Sequence, residues 1–391
     1  RRRIGEAACA TARSVDYVGA GTVEFIASAD KPDEFFFMEM NTRLQVEHPV
    51  TELVTGEDLV EQQVRIAAGL PLGFTQDDVQ LHGHAIEVRT YAEEPSRGFL
   101  PSGGRVLLLH EPAGEHIRVD SSLVEGTAVG STYDPMLNKV IAWGPDRGTA
   151  LKRLDHALGE QVVLGVPTNT AFLRTLLQRP EVQAGDLDTG FIERHLDELT
   201  VDDVPVEALA AYALREPADD LWRSAWRPGG PAARRWLLAL PGGRSASLVL
   251  RADQLRVDDA DPVTVSARVH DDRVDVTLEG RTTSWHVAVD GETVWVGAQG
   301  AAWPLHEQPR TLRADDAHAH DGDVTSPMPG SVIAVHAEAG TPVTKGQPLV
   351  VVEAMKMEHT LTAPLDGTVE EVLVRVGQQV KVDELLATVT A

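Results

Sequence analysis

Residues 353–359 (EAMKMEH) decide how the C-terminal part of the chain folds. They place Lys356 between two methionines, with the apolar runs 348–352 (PLVVV) before it and 360–364 (TLTAP) after it. Valine- and threonine-rich runs of this length favour β-strands, so the pattern predicts a hairpin with Lys356 at its tip. The amine of such a lysine can be acylated, which would give it a long flexible arm.

The segments on either side of Lys356 repeat each other, because residues 325–354 align with residues 362–391 at a fixed offset. An internal repeat constrains the architecture strongly. Its glycines suit turns that require positive φ, and the valine-rich runs between them suit short strands. The repeat therefore predicts an all-β, pseudo-symmetric flattened sandwich. The matching pairs are Pro327/Pro364, Gly330/Gly367, Val332/Val369, Gly340/Gly377, Val343/Val380 and Leu349/Leu386.

The motif at 354–357 (AMKM) resembles that of the biotinyl carrier domains of biotin-dependent carboxylases, and the resemblance covers residues 322–391. It implies that a biotin protein ligase attaches biotin covalently to Lys356. Lipoyl domains share the fold but usually carry an acidic residue directly before their lysine. Met355 occupies that place here and favours biotin. An unmodified surface lysine is the competing interpretation, which the motif and the repeat oppose.

Composition limits the remaining possibilities. A chain of 391 residues with 42% hydrophobic residues is long enough for two or three globular domains. The sequence has neither an apolar run of membrane-spanning length nor a signal-peptide pattern, and its net charge of −25 opposes binding to nucleic acid or anionic membranes. A single cysteine, Cys9, excludes an internal disulfide. We expect a cytoplasmic protein and, because the chain begins without methionine, a fragment of a longer one.

The first part of the chain predicts a helix followed by a hairpin. Residues 3–14 form the helix, and a glycine turn within residues 18–26 enters a strand. After a turn at 31–33, a second strand covers residues 35–41. Alternation along it places Glu39 and Asn41 on one face, together with Arg43 and Gln45 if the extension continues. On the opposite face, Met38 and Met40 are expected to point into a core.

Glu24, Glu39 and Asn41 are hard oxygen donors on two neighbouring predicted strands. Such a set suits Mg²⁺ or Mn²⁺, which also binds water and nucleotide phosphate. A divalent cation would relieve the repulsion between the two carboxylates. Spacing alone leaves a second interpretation open, in which the two glutamates belong to a solvated face.

Residues 19–25 (GAGTVEF) and 38–52 (MEMNTRLQVEHPVTE) resemble the biotin carboxylase family of ATP-grasp enzymes. The resemblance implies ATP as a substrate and a role for each matching residue. In that family the residues that match Glu24, Glu39 and Asn41 hold metal. Those that match Arg43, Gln45 and the backbone of Val46 bind bicarbonate. The residue that matches Arg43 is also the catalytic arginine, and the one that matches Glu47 is the general base.

These roles are chemically reasonable. A guanidinium fork matches the oxygens of bicarbonate, and a nearby carboxylate can take the remaining proton as bicarbonate attacks phosphorus. Metal and arginine charges offset the charge on the transferred phosphoryl group. For Glu47 the alternative is a structural acid that caps the segment before Pro49.

A helix at 57–69 and an alternating strand at 84–89 follow. Residues 83–95 resemble the family's second catalytic-arginine segment, which implies that Arg89 stabilises negative charge on biotin. A salt bridge from Arg89 to Glu87 is the alternative. Asp134 lies in another matching segment and is expected to position neighbouring groups. Helices are predicted at 147–160 and 168–178, and the resemblance ends near residue 199.

Residues 200–305 change character. A helix near 206–215 precedes strand-like segments at 245–250, 273–278 and 282–289, which indicates a small antiparallel barrel. By its position this region resembles the linking domain of acyl-CoA carboxylase α subunits, which helps to dock the partner subunit. Residues 306–321 are predicted to be a polar linker. Its histidines His306, His318 and His320 are more typical of solvated side chains than of metal ligands.

The whole sequence thus predicts a multidomain protein. The α+β C-terminal part of an ATP-grasp biotin carboxylase covers 1–199, a barrel-like linking domain 200–305, a linker 306–321 and a biotinyl domain 322–391. The resemblance implies ATP- and bicarbonate-dependent carboxylation of biotin and transfer to an acyl-CoA by a separate carboxyltransferase β subunit in a hetero-oligomer. Acetyl, propionyl and methylcrotonyl thioesters all remain open.

Three alternatives remain: a non-catalytic biotinylated scaffold, a lipoyl carrier and a fragment of another biotin-dependent carboxylase. The segment between the recognisable ends is too short for a carboxyltransferase barrel, which argues against a single-chain pyruvate carboxylase. The sequence has no glycine-rich phosphate loop followed by lysine. We therefore expect this chain alone not to turn over ATP.

Overall fold

A computed structural model of the chain describes residues 1–28, 30–130, 134–200, 203–216, 233–308, 322–354, 357–382 and 384–390. The chain divides into two units. The first unit comprises Arg1–Val88, Gly114–Arg118 and Val140–Leu154, and the second comprises Arg89–Ala113, Val119–Lys139 and Asp155–Ala391. No helix within the described ranges has the length and hydrophobicity needed to cross a lipid bilayer.

The first unit begins with the predicted helix and hairpin. Its elements are α1 (Arg2–Ser14), β1 (Thr22–Ser28), β2 (Lys31–Asn41), α2 (His48–Thr55) and α3 (Leu59–Ala67). The predicted helices at 3–14 and 57–69 and both strands are confirmed, with ends shifted by a few residues. The turn expected at 31–33 is wrong, because Lys31 already pairs with Ser28. A proline in this segment is compatible with a strand because both strands of a two-stranded sheet are edges.

A β-bulge interrupts the hairpin beside its acidic residues. Glu24 pairs with Glu39, but the next residue, Phe25, pairs with Phe37, so Met38 is the extra residue of the bulge. A bulge breaks the alternation of faces and re-aims the side chains next to it. The expectation that Met38 points into a core is therefore wrong: its side chain is 52% exposed, whereas Met40 is partly buried.

An α+β region follows. Its strands are β3 (His84–Tyr91), β4 (Glu93–Glu94), β5 (Leu100–Pro101), β6 (Gly104–Arg105), β7 (Leu108–His110), β8 (Ile117–Ser121), β9 (Ala128–Val129), β10 (Met136–Gly144) and β11 (Val162–Leu164). They form sheets in the orders β3-β10-β8, β11-β7, β4-β5 and β6-β9. The helices are α4 (Arg147–Glu160), α5 (Thr170–Gln178), α6 (Pro180–Ala184) and α7 (Phe191–Leu199). The predicted helices at 147–160 and 168–178 are confirmed.

The third region is a closed eight-stranded barrel, which confirms the predicted antiparallel barrel. Helix α8 (Val206–Leu214) contributes the six consecutive buried residues 208–213 to the same core as the barrel strands. The strands are β12 (Arg234–Leu240), β13 (Arg244–Arg251), β14 (Gln254–Val257), β15 (Val263–Val269), β16 (Arg273–Leu278), β17 (Arg281–Asp290), β18 (Thr293–Ala298) and β19 (Ala301–Glu307).

The barrel closes between β12 and β19, where Leu238 pairs with Glu307 and Ala239 pairs with His306. His306 therefore belongs to the last barrel strand rather than to the expected linker, and its Nδ1 lies 3.2 Å from the Thr293 hydroxyl. His318 and His320 lie outside the described residues.

The C-terminal region is the predicted pseudo-symmetric sandwich. Its strands are β20 (Asp323–Thr325), β21 (Gly330–Val335), β22 (Pro342–Val343), β23 (Pro348–Ala354), β24 (Met357–Thr362), β25 (Gly367–Val372), β26 (Gln379–Val380) and β27 (Leu385–Thr390). They form two four-stranded sheets, ordered β20-β27-β25-β22 and β24-β23-β21-β26. The sequence repeat converts one order into the other, strand by strand.

The two halves exchange equivalent backbone hydrogen bonds. The Gly340 amide donates to Val369 O at 2.7 Å, and the Gly377 amide donates to Val332 O at 2.7 Å. Both glycines have positive φ, 83° and 85°, which explains why glycine occurs at this position in both repeats. Each half thus supplies the carbonyl acceptor for the glycine amide in the other half's turn.

Leu349 and Leu386 are equivalent in the repeat and both are fully buried in the sandwich core. We predict that Leu349→Ala and Leu386→Ala each lower the local unfolding free energy by about 2–5 kcal/mol, because each leaves a cavity in a packed core. Leu373→Ala, at a 47% exposed position of the same domain, should cost less than about 1 kcal/mol. Hydrogen exchange of amides in 322–390 of the full chain measures these differences. Unequal losses at the two equivalent leucines would contradict the symmetric core.

Candidate functional site

The acidic hairpin brings together the three residues predicted to bind metal. Glu24 on β1 lies directly opposite Glu39 on β2, and Asn41 pairs with Thr22 at the end of the same ladder. The Asn41 Nδ2 amide donates to Glu24 Oε1 at 2.7 Å and to Glu39 Oε1 at 3.2 Å. The amide therefore lies between two carboxylates that would otherwise repel each other.

This donor set fits a hard divalent cation. Two carboxylates and one amide supply oxygen ligands only, which suits Mg²⁺ or Mn²⁺ better than softer metals. Rotating the Asn41 side-chain amide by half a turn exchanges its nitrogen and oxygen, which would present Oδ1 to the same space. A cation there would replace the amide N–H groups as the positive partner of Glu24 and Glu39.

The residues predicted to bind bicarbonate lie just after β2. The strand ends at Asn41, so the extension expected through Gln45 does not continue. The structure nevertheless brings two of these side chains together, since Arg43 Nη1 donates to Gln45 Oε1 at 3.0 Å. Arg43 is exposed, while Gln45 and Val46 are partly buried. The guanidinium is thus positioned locally and remains accessible to an anion.

Glu47 occupies the N-cap position of α2, but its side chain makes no capping hydrogen bond. This finding opposes the interpretation of Glu47 as a structural cap. The helix is anchored elsewhere by the buried Glu52, which accepts from Arg118 Nη1 at 2.6 Å and from the Leu59 amide at 2.7 Å. No sequence pattern predicts this buried carboxylate, because its burial depends on Arg118, which is distant in the chain and packs against α2.

Arg89 lies on β3 and belongs to the second unit, where it is partly buried. Its segment is held by the buried Asn169 at the start of α5. Asn169 donates to Arg89 O at 3.3 Å and to Glu93 Oε1 at 3.0 Å, and it accepts from the Tyr91 amide at 3.0 Å. The Asn169 side chain thus fixes the backbone of the segment that carries Arg89.

Glu93 is a titratable group that sequence reasoning did not single out. Burial raises its pKa to about 7, with a contribution from the Asp134 carboxylate, while the hydrogen bond from Asn169 opposes the shift. Asp134 itself accepts from the Met136 amide at 2.9 Å, at the start of β10. The negative charge beside this segment therefore changes near neutral pH.

The hairpin of the C-terminal sandwich has its predicted form. Ala354 at the end of β23 pairs with Met357 at the start of β24, and the buried Val350, Val352 and Ala354 hold β23 in the core. Met355 and Lys356 lie between the paired ends and outside the described residues.

Four family models match the chain in succession. They are the carbamoyl-phosphate synthase L chain ATP-binding domain (residues 1–75), the biotin carboxylase C-terminal domain (87–194), the BT domain of the methylcrotonyl-CoA carboxylase α subunit (202–310) and the biotin-requiring enzyme domain (322–389). Their order follows the hairpin region, the α+β region, the barrel and the sandwich.

Curated relatives match over nearly the whole chain. The mitochondrial methylcrotonoyl-CoA carboxylase subunit alpha of Dictyostelium discoideum is 35% identical, covering 100% of this chain and 60% of its own length. The corresponding Arabidopsis thaliana subunit is 36% identical, covering 97% and 59%. The propionyl-CoA carboxylase alpha chain of Ruegeria pomeroyi is 35% identical, covering 99% and 63%.

Solved structures match the carboxylase part. The biotin carboxylase domain of Hydrogenobacter thermophilus 2-oxoglutarate carboxylase, in complex with MgADP, ADP and bicarbonate, aligns with a TM-score of 0.50 and 36% identity. The alignment covers 52% of this chain and 44% of that one. The biotin carboxylase subunit of a pyruvate carboxylase aligns with a TM-score of 0.50 and 38% identity, covering 52% and 45%.

The acidic hairpin, the α+β region and the duplicated sandwich match, in order, domains found in biotin-dependent carboxylases. Over nearly its whole length the chain is similar to acyl-CoA carboxylase α subunits. It spans about 60% of the length of the curated relatives it matches.

The raised pKa of Glu93 generates a prediction about stability. Because the folded state disfavours the ionised carboxylate, the protein loses stability as pH rises from 4.5 through about 7. Glu93→Gln keeps an acceptor for Asn169 without the charge, so the variant should be more stable than the wild type at pH 8, by about 1–2 kcal/mol after solvent screening. The advantage should disappear near pH 4.5.

Thermal unfolding of both proteins across this pH range measures the effect. The neighbouring Glu94→Gln, which removes a carboxylate 3.5 Å from Arg97, is the matched control. A pH-independent difference between wild type and Glu93→Gln would contradict the assignment.

Proposed function

We propose that this chain is the part of an acyl-CoA carboxylase α subunit that completes the bicarbonate site and carries biotin. The intact subunit uses ATP and bicarbonate to carboxylate biotin on Lys356, and a separate carboxyltransferase transfers the carboxyl group to an acyl-CoA. The observation that carries this proposal is the Asn41 amide held between the opposed Glu24 and Glu39, on a chain that ends in a duplicated biotinyl-type sandwich.

In this proposal Arg43 and Gln45 bind bicarbonate together with the backbone of Val46. The 3.0 Å contact between Arg43 Nη1 and Gln45 Oε1 supports it, because it orients the guanidinium at the end of the acidic strand. Glu47 acts as the general base, because a carboxylate near bicarbonate can take its remaining proton as it attacks phosphorus. When bound, Mg²⁺ or Mn²⁺ at Glu24, Glu39 and Asn41 supplies positive charge near the phosphates of ATP.

Arg89 is proposed as the residue that stabilises negative charge on biotin. Its backbone carbonyl is fixed by Asn169, whose other contacts hold Tyr91 and Glu93. A guanidinium on a rigid strand is pre-organised for this task, since little reorganisation is needed when charge develops.

The partners follow from the same assignment. A biotin protein ligase modifies Lys356, and a carboxyltransferase β subunit binds the barrel region in a cytoplasmic hetero-oligomer. The proposed boundaries are 1–199 for the carboxylase part, 200–307 for the barrel domain, whose last strand ends at Glu307, 308–321 for the linker and 322–391 for the carrier.

Biotinylation tests the carrier assignment directly. On co-expression of the full chain with a biotin ligase, we predict a mass increase of one biotin per chain, lost in Lys356→Arg. Lys345→Arg, in the turn before β23, is the matched control and should be fully modified. No mass increase in a chain whose sandwich amides are protected from exchange would overturn the assignment, and modification by a lipoate ligase alone would favour the lipoyl carrier.

Metal binding tests the hairpin site. We predict that Glu24→Gln and Glu39→Gln each weaken Mn²⁺ binding by at least about 10-fold, because each removes a charged ligand and not merely a supporting contact. Glu34→Gln, on the same strand and paired with Lys31 at 3.3 Å, should leave the affinity unchanged. Electron paramagnetic resonance of free Mn²⁺ in titrations of the full chain measures all three. Equal losses in Glu34→Gln and Glu39→Gln would show that Mn²⁺ responds to general surface charge.

A further inference from the structure

A cluster of one carboxylate and two imidazoles lies where the barrel packs against the strand pair β7 and β11. The packing is apolar at its centre, where Val162 and Leu164 contact the barrel residue Trp295. At its edge Arg174 Nη1 donates to Gln299 O at 2.6 Å. The barrel and the β7–β11 strand pair therefore pack against each other beside the cluster.

The cluster consists of His110, Asp272 and His286. His110 is the last residue of β7, Asp272 precedes β16, and His286 lies on β17. His110 Nε2 lies 3.0 Å from Asp272 Oδ2, and His286 Nδ1 lies 3.8 Å from the same oxygen. The three potential ligand atoms all lie within 4.8 Å of one another.

Backbone pairing fixes the barrel side of the cluster. Arg273, next to Asp272, pairs with His286 across β16 and β17, and the Val287 amide donates to Asp272 O at 3.0 Å. The neighbouring Arg273 and His270 side chains contact a different carboxylate: Asp275 lies 3.1 Å from Arg273 Nε and 2.8 Å from His270 Nε2. The Asp272 carboxylate is thus directed to the two histidines.

His286 Nδ1 is buried and makes no hydrogen bond with any of the described residues. A buried ring nitrogen without a partner is costly unless something satisfies it. Burial lowers the pKa of His286, as does the nearby His110.

We propose that His110, Asp272 and His286 form a binding site for a borderline transition metal of the Zn²⁺ class. Two imidazole nitrogens and one carboxylate form a common set of three protein ligands for such ions, with water in the fourth position. Tetrahedral coordination at metal–ligand distances near 2.0–2.2 Å separates ligand atoms by roughly 3.4 Å. The observed 3.0 and 3.8 Å lie on either side of that value, so small side-chain shifts complete the site.

The site differs in chemistry and position from the acidic hairpin. It uses nitrogen donors, which Mg²⁺ disfavours, and it joins residues from two regions of the chain. His110 and Asp272 are 47% and 45% exposed, which gives the ion a path from solvent. A bound ion would therefore link the barrel to the carboxylase region.

Zn²⁺ titration of the full chain, with excess Mg²⁺ to occupy oxygen-only sites, tests the proposal. We expect one Zn²⁺ per chain, and visible absorption typical of tetrahedral Co²⁺ when Co²⁺ is used instead. His110→Gln and His286→Gln should each weaken binding by no less than about 10-fold, the loss that even an outer-shell contact causes. His156→Gln, at a 79% exposed histidine on α4, should bind like the wild type.

Hydrogen exchange provides a second readout that does not depend on activity. Zn²⁺ should slow exchange in β7 and β17 of the wild type and leave both unchanged in His110→Gln, a substitution at a side chain that is 47% exposed. Unaltered Zn²⁺ affinity in His110→Gln and His286→Gln, with circular dichroism unchanged, would overturn the proposal and identify the cluster as a polar contact only.

Discussion

The sandwich depends on hydrogen bonds that its two halves can make only with each other. The Gly340 amide bonds to Val369 and the Gly377 amide to Val332, so neither repeat satisfies its own turn. The Ser326 amide donates to Glu384 O at 2.9 Å, and the equivalent Ala363 amide donates to Gln347 O at 2.9 Å. A half-folded sandwich therefore leaves backbone donors unpaired, which favours cooperative folding of the whole domain. The strands that flank Lys356, β23 and β24, belong to one of the two sheets that this exchange joins.

In the hairpin of β1 and β2, near the start of the chain, electrostatic repulsion between two carboxylates is the main constraint. Glu24 and Glu39 face each other across a two-stranded ladder, a position where like charges are destabilising. The Asn41 amide compensates in this structure, and a divalent cation would compensate more strongly. The bulge at Met38 lies next to this pair, so the irregularity in the hairpin coincides with its proposed chemistry.

The sequence was sufficient for features that depend on local pattern. The repeat predicted two equivalent sheets, and the alternation on β2 predicted that Glu39 and Asn41 share a face. The alternation pattern failed at Met38, where an extra residue changes the register. It also failed after Asn41, where the strand ends before Arg43. The register of a strand depends on the strand it pairs with. The pattern of residues along one strand does not show where a β-bulge inserts an extra residue.

Features made by residues far apart in the chain were also inaccessible to sequence reasoning. The raised pKa of Glu93 requires its burial next to Asn169 and Asp134, which come from other elements. The cluster at His110 requires the barrel to pack on β7. His306 was assigned to a linker because its surroundings are polar, whereas the closure of the barrel on β12 places it in a strand.

The repeat also places two features of the domain in different sheets: the strand where the chain enters and the hairpin that contains Lys356. In one sheet, β23 and β24 are joined directly and carry Lys356 between them. In the other sheet, the equivalent strands β27 and β20 are not joined, and the chain enters the domain at β20. A load applied where the chain enters the domain therefore acts first on β20, in the sheet that does not contain the β23–β24 hairpin.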